Sequence, residues 1–174
     1  MTKMILGLVS IILFGASAQA GIILDPYLGY AVSGSTSSGS TVTGNDMGVR
    51  VGFNNLGFGL GLDATLAGSY KYENSGVSNS MTPAHMGVFV SYAFPVLVRA
   101  YGTYFVNSKV SDSTTTVTGN GTKIGVQFTG LPFIAVGVEM YTMNYTDLEI
   151  SGIKGSASGS ETQTRLAISA PFYF

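Results

Sequence analysis

Beyond residue 20, apolar residues recur at every second position through eight stretches of roughly ten residues. That is the period of a strand whose successive side chains face opposite sides of a sheet. The first stretch, 23–33, sets Leu24, Leu28, Tyr30 and Val32 against Asp25, Tyr27, Gly29 and Ala31. In the second, Met47, Val49, Val51 and Phe53 alternate with Asp46, Gly48, Arg50 and Gly52. The third alternates Phe58, Leu60, Leu62, Ala64 and Leu66 with Gly59, Gly61, Asp63, Thr65 and Ala67. Comparable alternation runs through 84–92, 96–106, 123–129 and 134–141, and the last stretch sets Leu166, Ile168, Ala170, Phe172 and Phe174 against Arg165, Ala167, Ser169 and Tyr173.

The connections alternate too. After the second, fourth and sixth stretches they are tight, at Asn54-Asn55-Leu56-Gly57, Phe94-Pro95 and Gly130-Leu131-Pro132, where Asn, Gly and Pro supply turn geometry. After the others they are polar and longer, over 34–45, 71–82, 107–120 and 146–160. The pattern predicts an all-β, eight-stranded antiparallel up-and-down transmembrane β-barrel with short turns on one side and four polar extracellular loops on the other. The repeat of Thr41-Val42-Thr43-Gly44-Asn45 as Thr116-Val117-Thr118-Gly119-Asn120 makes the second and sixth strands equivalent in this scheme.

Charge sharpens the picture. Only 10% of residues are charged, the net charge is −1, and Cys is absent. A soluble domain carries about a quarter charged residues, so this surface is not built mainly for water. In hydrocarbon an unpaired backbone group costs several kcal/mol, which only a closed ring of strands avoids. On the register above, the ionisable residues share one face, the inner one: Asp25, Arg50, Asp63, His85, Arg99, Lys123, Glu139 and Arg165. Arg50, Asp63, Arg99, Lys123, Glu139 and Arg165 are therefore expected to form a lumen charge network that plugs a barrel too narrow for an open pore. Tyr30, Tyr70, Tyr92 and Tyr104 are expected outside, in interfacial girdles.

Residues 1–20 read as a cleaved Sec-type signal peptide: a Lys3 start, an apolar run from Met4 to Phe14 and an Ala18-Gln19-Ala20 cleavage site. The run is short for a membrane anchor, which needs ~20 residues. Residues 21–174 are then the barrel. With no basic stripe, no nucleic acid partner is expected, and no cofactor or metal is implied. His85 is the one histidine, without a GxSxG or metal-ligand spacing, so the chain is read as non-enzymatic. A lipid A-modifying enzyme using His85 and a soluble lipocalin-like carrier stay as alternatives, the latter requiring the apolar set inside.

The C-terminus carries a resemblance. Phe174, preceded by Phe172, Ala170, Ile168 and Leu166 at alternate positions, resembles the closing strand of bacterial outer-membrane proteins, and the whole mature chain resembles the small OmpA/OmpX-type barrels. The resemblance implies residence in the bacterial outer membrane among lipid and lipopolysaccharide. It also implies recognition of Phe174, Phe172 and Ile168 by the barrel-assembly machinery during insertion. A monomer without a peptidoglycan-binding domain is expected, acting as a structural or surface recognition and adhesion protein for an unidentified external ligand. A narrow OmpW- or OmpA-like channel is the other reading.

Overall fold

The computed structural model describes residues 21–174, so the expected leader in residues 1–20 lies outside the described residues. Eight long strands follow one another: β1 (Gly21–Thr36), β2 (Thr41–Asn55), β3 (Phe58–Asn74), β4 (Val77–Phe94), β5 (Val98–Ser111), β6 (Thr115–Leu131), β7 (Ile134–Ile150) and β8 (Ile153–Ser169). Each pairs antiparallel with the next, and β8 pairs back onto β1, closing the ring. Ala170-Pro171 interrupts the last strand, after which β9 (Phe172–Tyr173) resumes pairing with Ile23 and Leu24. Closure leaves no open edge, the condition for crossing hydrocarbon.

The outer wall is apolar and the inner wall polar. Along β3, Phe58, Leu60, Leu62 and Leu66 are 58–69% exposed while Asp63 is fully buried. This is the reverse of a lipid carrier, whose apolar set would line the interior, and the soluble alternative falls on that observation. Along β3 the apolar outer belt runs from Phe58 to Leu66, within the ~9–11 residues that a tilted strand needs to span a bilayer. Phe58, Tyr92 and Phe94 stack on its rim at the terminal end, with ring centroids 4.4 and 4.8 Å apart.

The strands do not stop at the belt. They run 14–18 residues, and the stretches expected as long loops are strand up to tight distal turns. β3 and β4 meet at Ser75-Gly76, and β7 and β8 at Ser151-Gly152; all four residues have positive φ, as a two-residue type I′ hairpin requires. The remaining distal turns span only Ser37–Ser40 and Asp112–Thr114. The β-branched residues in Thr41-Val42-Thr43 and Thr114–Thr118 favour pairing, and the hydrogen-bonded ladder overrides the composition that suggests loops. The distal end is thus a β wall closed by short turns rather than four long loops.

Bulges mark the passage from belt to wall. The register slips at Val32 in β1, at Leu66 in β3 and between Phe105 and Ser108 in β5. Each inserts a residue and reverses which parity faces inward. Tyr70 is therefore 1% exposed inside the barrel, not in an outer girdle, whereas Tyr30 and Tyr104 do lie outside. Tyr173 pairs with the buried Ile23 and so keeps the inner set of the alternation, 43% exposed at the terminal end of the barrel.

Candidate functional site

The lumen is filled in layers, described here from the terminal end upward. In the lowest, Arg99 donates to Asp25 (2.6 Å) and to Gln127 (2.6 Å). At mid-height Arg50 joins three strands other than its own: it pairs with Asp25 (2.9 Å), Asp63 (3.4 Å) and Glu139 (2.8 Å). Lys123 pairs with Asp63, which also accepts from the hydroxyls of Tyr27 (2.9 Å) and Thr103 (2.7 Å). Tyr101 donates to Glu139, and the Arg50 guanidinium lies 4.1 Å from the centre of the Tyr101 ring. One layer higher, Arg165 pairs with Asp46, Tyr70 donates to the same carboxylate (2.7 Å), and Arg165 stacks 4.2 Å from the Tyr141 ring.

Bare backbone makes this packing possible. A Cβ at Gly125 would stand 2.3 Å from Tyr101 Cζ, and one at Gly48 2.4 Å from the Tyr27 hydroxyl. Inner-facing glycines in a narrow barrel thus leave room for rings laid across the opposite strand.

Above the charged layers, His85 Nδ1 lies 2.9 Å from Ser108 Oγ, enclosed by Phe105, Tyr141 and Met143. A Ser–His contact invites an enzymatic reading, but both residues are buried, and among the described residues no carboxylate hydrogen-bonds the ring to orient it. Among the described residues no group of three or more His, Cys, Asp or Glu is placed to hold a metal.

The top of the barrel has a different character. Val42, Tyr70 and Val110 form an apolar cluster flanked by Tyr72, Met81 and Tyr145. Beside it opens a cavity of about 230 Å³ lined by the β1–β2 turn, Tyr72, Met81, Val117, Tyr145 and Glu161. Glu161, 1% exposed, accepts hydrogen bonds from Tyr72 (2.8 Å), Tyr145 (3.2 Å) and the Gln163 amide.

Arg50, Asp63, Arg99, Lys123, Glu139 and Arg165 all face the lumen and are at most 2% exposed. The first five connect through Asp25 and Asp63, while Arg165 belongs to a separate pair with Asp46. Asp46 shares the inner parity of Arg50 in the alternation, which could have nominated it as that partner. Of the Glu161 group, Tyr72 lies in the expected 71–82 loop, while Tyr145 and Glu161 flank the expected 146–160 loop, outside the alternation that nominates lumen residues. Phe174, Phe172 and Ile168 lie on the outer wall at the β1 seam, where Phe174 exchanges two 3.0 Å backbone hydrogen bonds with Ile22.

No family model and no curated protein matches the chain. Among solved structures it is similar to Neisserial surface protein A, with a TM-score of 0.56 and 15% identity over 87% of this chain and 97% of that one. It is also similar to Ail, the attachment invasion locus protein of Yersinia pestis, solved with the heparin analogue sucrose octasulfate. There the TM-score is 0.54 and the identity 12%, over 88% of this chain and 99% of that one. At this identity the likeness is one of fold. The chain is an eight-stranded antiparallel barrel with the architecture of the small bacterial outer-membrane proteins.

Proposed function

We propose that this protein resides in the bacterial outer membrane as a closed, non-enzymatic barrel that serves as a structural or surface-recognition element through its distal end. Export through a signal peptide in residues 1–20, recognition of Phe174, Phe172 and Ile168 by the assembly machinery, and a monomer among lipid and lipopolysaccharide belong to the same reading. The observation that carries it is the Arg50 network. One guanidinium reaches carboxylates on β1, β3 and β7, so charged side chains cross the lumen from wall to wall. Breaking such a buried pair exposes an uncompensated charge, which makes transient opening costly.

The recognition surface on this reading is the distal β wall. Unlike the sulfated ligand named with Ail, a ligand here would meet an acidic end: Glu73, Asp112, Asp147, Glu149 and Glu161 against Lys71, Lys109 and Lys154. Planar-bilayer recording of the refolded protein tests closure. A closed barrel gives a flat current at all voltages, whereas discrete steps would favour the channel reading instead. Lipid A profiles of cells carrying His85→Ala should match those of cells carrying the unaltered protein; a changed profile would restore the enzymatic reading.

A further inference from the structure

The buried carboxylates of the lumen differ from layer to layer. Around and below the bulges, Asp25, Asp46, Asp63 and Glu139 are each within ion-pair distance of Arg50, Arg99, Lys123 or Arg165. Glu161 is as deeply buried as these, yet among the described residues no Lys, Arg or His nitrogen lies within ion-pair distance of it. Without a cation beside it, burial pushes the Glu161 carboxyl above the usual carboxylate range, and a cation at the site would compensate the charged form. Its three hydrogen bonds come from neutral donors and occupy three of about four lone-pair directions. Next to it, the 1% exposed Gln163 leaves its own Oε1 without a hydrogen-bond donor. Two buried acceptors at one place are short of hydrogens and of positive charge.

The cavity beside them fits a particular kind of occupant. Its walls are the Tyr72 and Tyr145 rings with Met81, Val110 and Val117, faced by the hydroxyl-bearing β1–β2 turn and the first half of β8, and Glu161 is its one carboxylate. At about 230 Å³ it lies below the roughly 300–1,000 Å³ of drug-sized pockets, room for one ring and a short tail. Electron-rich ring faces attract a cation, and Met packs readily against aromatic groups. The acidic distal end raises the local concentration of cations outside the mouth.

We propose that the distal mouth is a binding site for a small organic cation with an apolar body, its ammonium group received by Glu161 between Tyr72 and Tyr145. This deepens the recognition reading, and rests on it, by giving the distal end a ligand class. The apolar body lies against Met81, Val110 and Val117, and the ammonium completes the acceptor set that the neutral donors leave open. A neutral or anionic analogue of the same shape leaves the carboxylate uncompensated and is rejected.

The test uses the full mature chain refolded in a nonionic detergent, because choline headgroups are themselves organic cations. Met81 methyl shifts are followed by NMR while 2-phenylethylammonium or the isosteric 2-phenylethanol is added at millimolar concentration. The ammonium is expected to shift Met81 and saturate, with the alcohol at least tenfold weaker and Glu161→Gln weakening the ammonium at least tenfold. Equal binding of the two probes, no shift of Met81, or full binding by a folded Glu161→Gln variant would overturn the proposal. If that variant does not fold, the comparison of the two probes on the unaltered protein decides alone. Conductance of the same preparation reports on closure independently, so a leaky barrel and an unliganded mouth give different signatures.

Discussion

Around mid-barrel, four cations face four carboxylates, and every one of those carboxylates has a partner within 4.0 Å. At the distal end five acidic groups meet three lysines, and the buried member, Glu161, is held by tyrosine hydroxyls and an amide. The same inner face of the same ring therefore handles buried charge in two ways. In the lower region charge closes the structure; in the upper one it is left over beside a cavity. The difference teaches that a filled lumen and a receptive mouth can be built on continuous strands, with the bulges in β1, β3 and β5 resetting which residues point in.

The largest effect that would break this contrast comes from its centre. Replacing Arg50 with Met leaves Glu139 without a cation and takes one of two cations from Asp25 and from Asp63, and removal of one partner from a buried pair costs about 3–5 kcal/mol. Urea unfolding of the barrel refolded into lipid vesicles should show that loss; an unchanged midpoint would mean the network contributes nothing. A smaller loss, about 1–3 kcal/mol, is expected for Gly125→Val, whose side chain must displace the Tyr101 ring. In the mouth the sign reverses. Glu161→Gln removes a buried carboxyl that has no cation beside it among the described residues, so without ligand the unfolding midpoint should hold or rise. A fall comparable with that of Arg50→Met would erase the distinction between the two regions.

The smallest effect lies outside the membrane altogether. In the β5–β6 turn the backbone N–H groups of Thr114 and Thr115 donate to Asp112 at 2.8 and 2.7 Å and hold its carboxyl below the usual carboxylate range. A lowered value in the folded state means the turn is supported above the ordinary Asp pKa and loses that support as pH falls through the folded one. Carboxyl NMR of Asp112 should titrate below the ordinary Asp value, and a midpoint at or above it would remove the bonds from the account.

Much of this was readable from residue order, and the failures have physical causes. Period two across the belt assigned the facing of Val51, Leu62, Arg50 and Asp63, because lipid outside and a narrow lumen inside punish any misplacement. Tyr70 defeated the same rule: one extra residue at Leu66 flips the parity of everything beyond it, and nothing in Thr65-Leu66-Ala67 announces a bulge. The distal strands were hidden by composition, since Ser, Thr and Gly are common to loops and to strands whose outer face meets water. Glu161 lies between the expected 146–160 loop and the alternation that begins at Arg165, so neither reading nominated it. Its partners Tyr72 and Tyr145 come from strands far apart in sequence, and only ring closure brings them together.

The central claim is that the belt residues face acyl chains while the same strands continue into water above. Nitroxide labels at Val51, Leu62 and Lys71, read by accessibility to oxygen and to a polar nickel chelate in reconstituted bilayers, test it directly. Oxygen should dominate at Val51 and Leu62 and the nickel chelate at Lys71. Nickel access at all three positions would place the apolar wall in water and contradict the account.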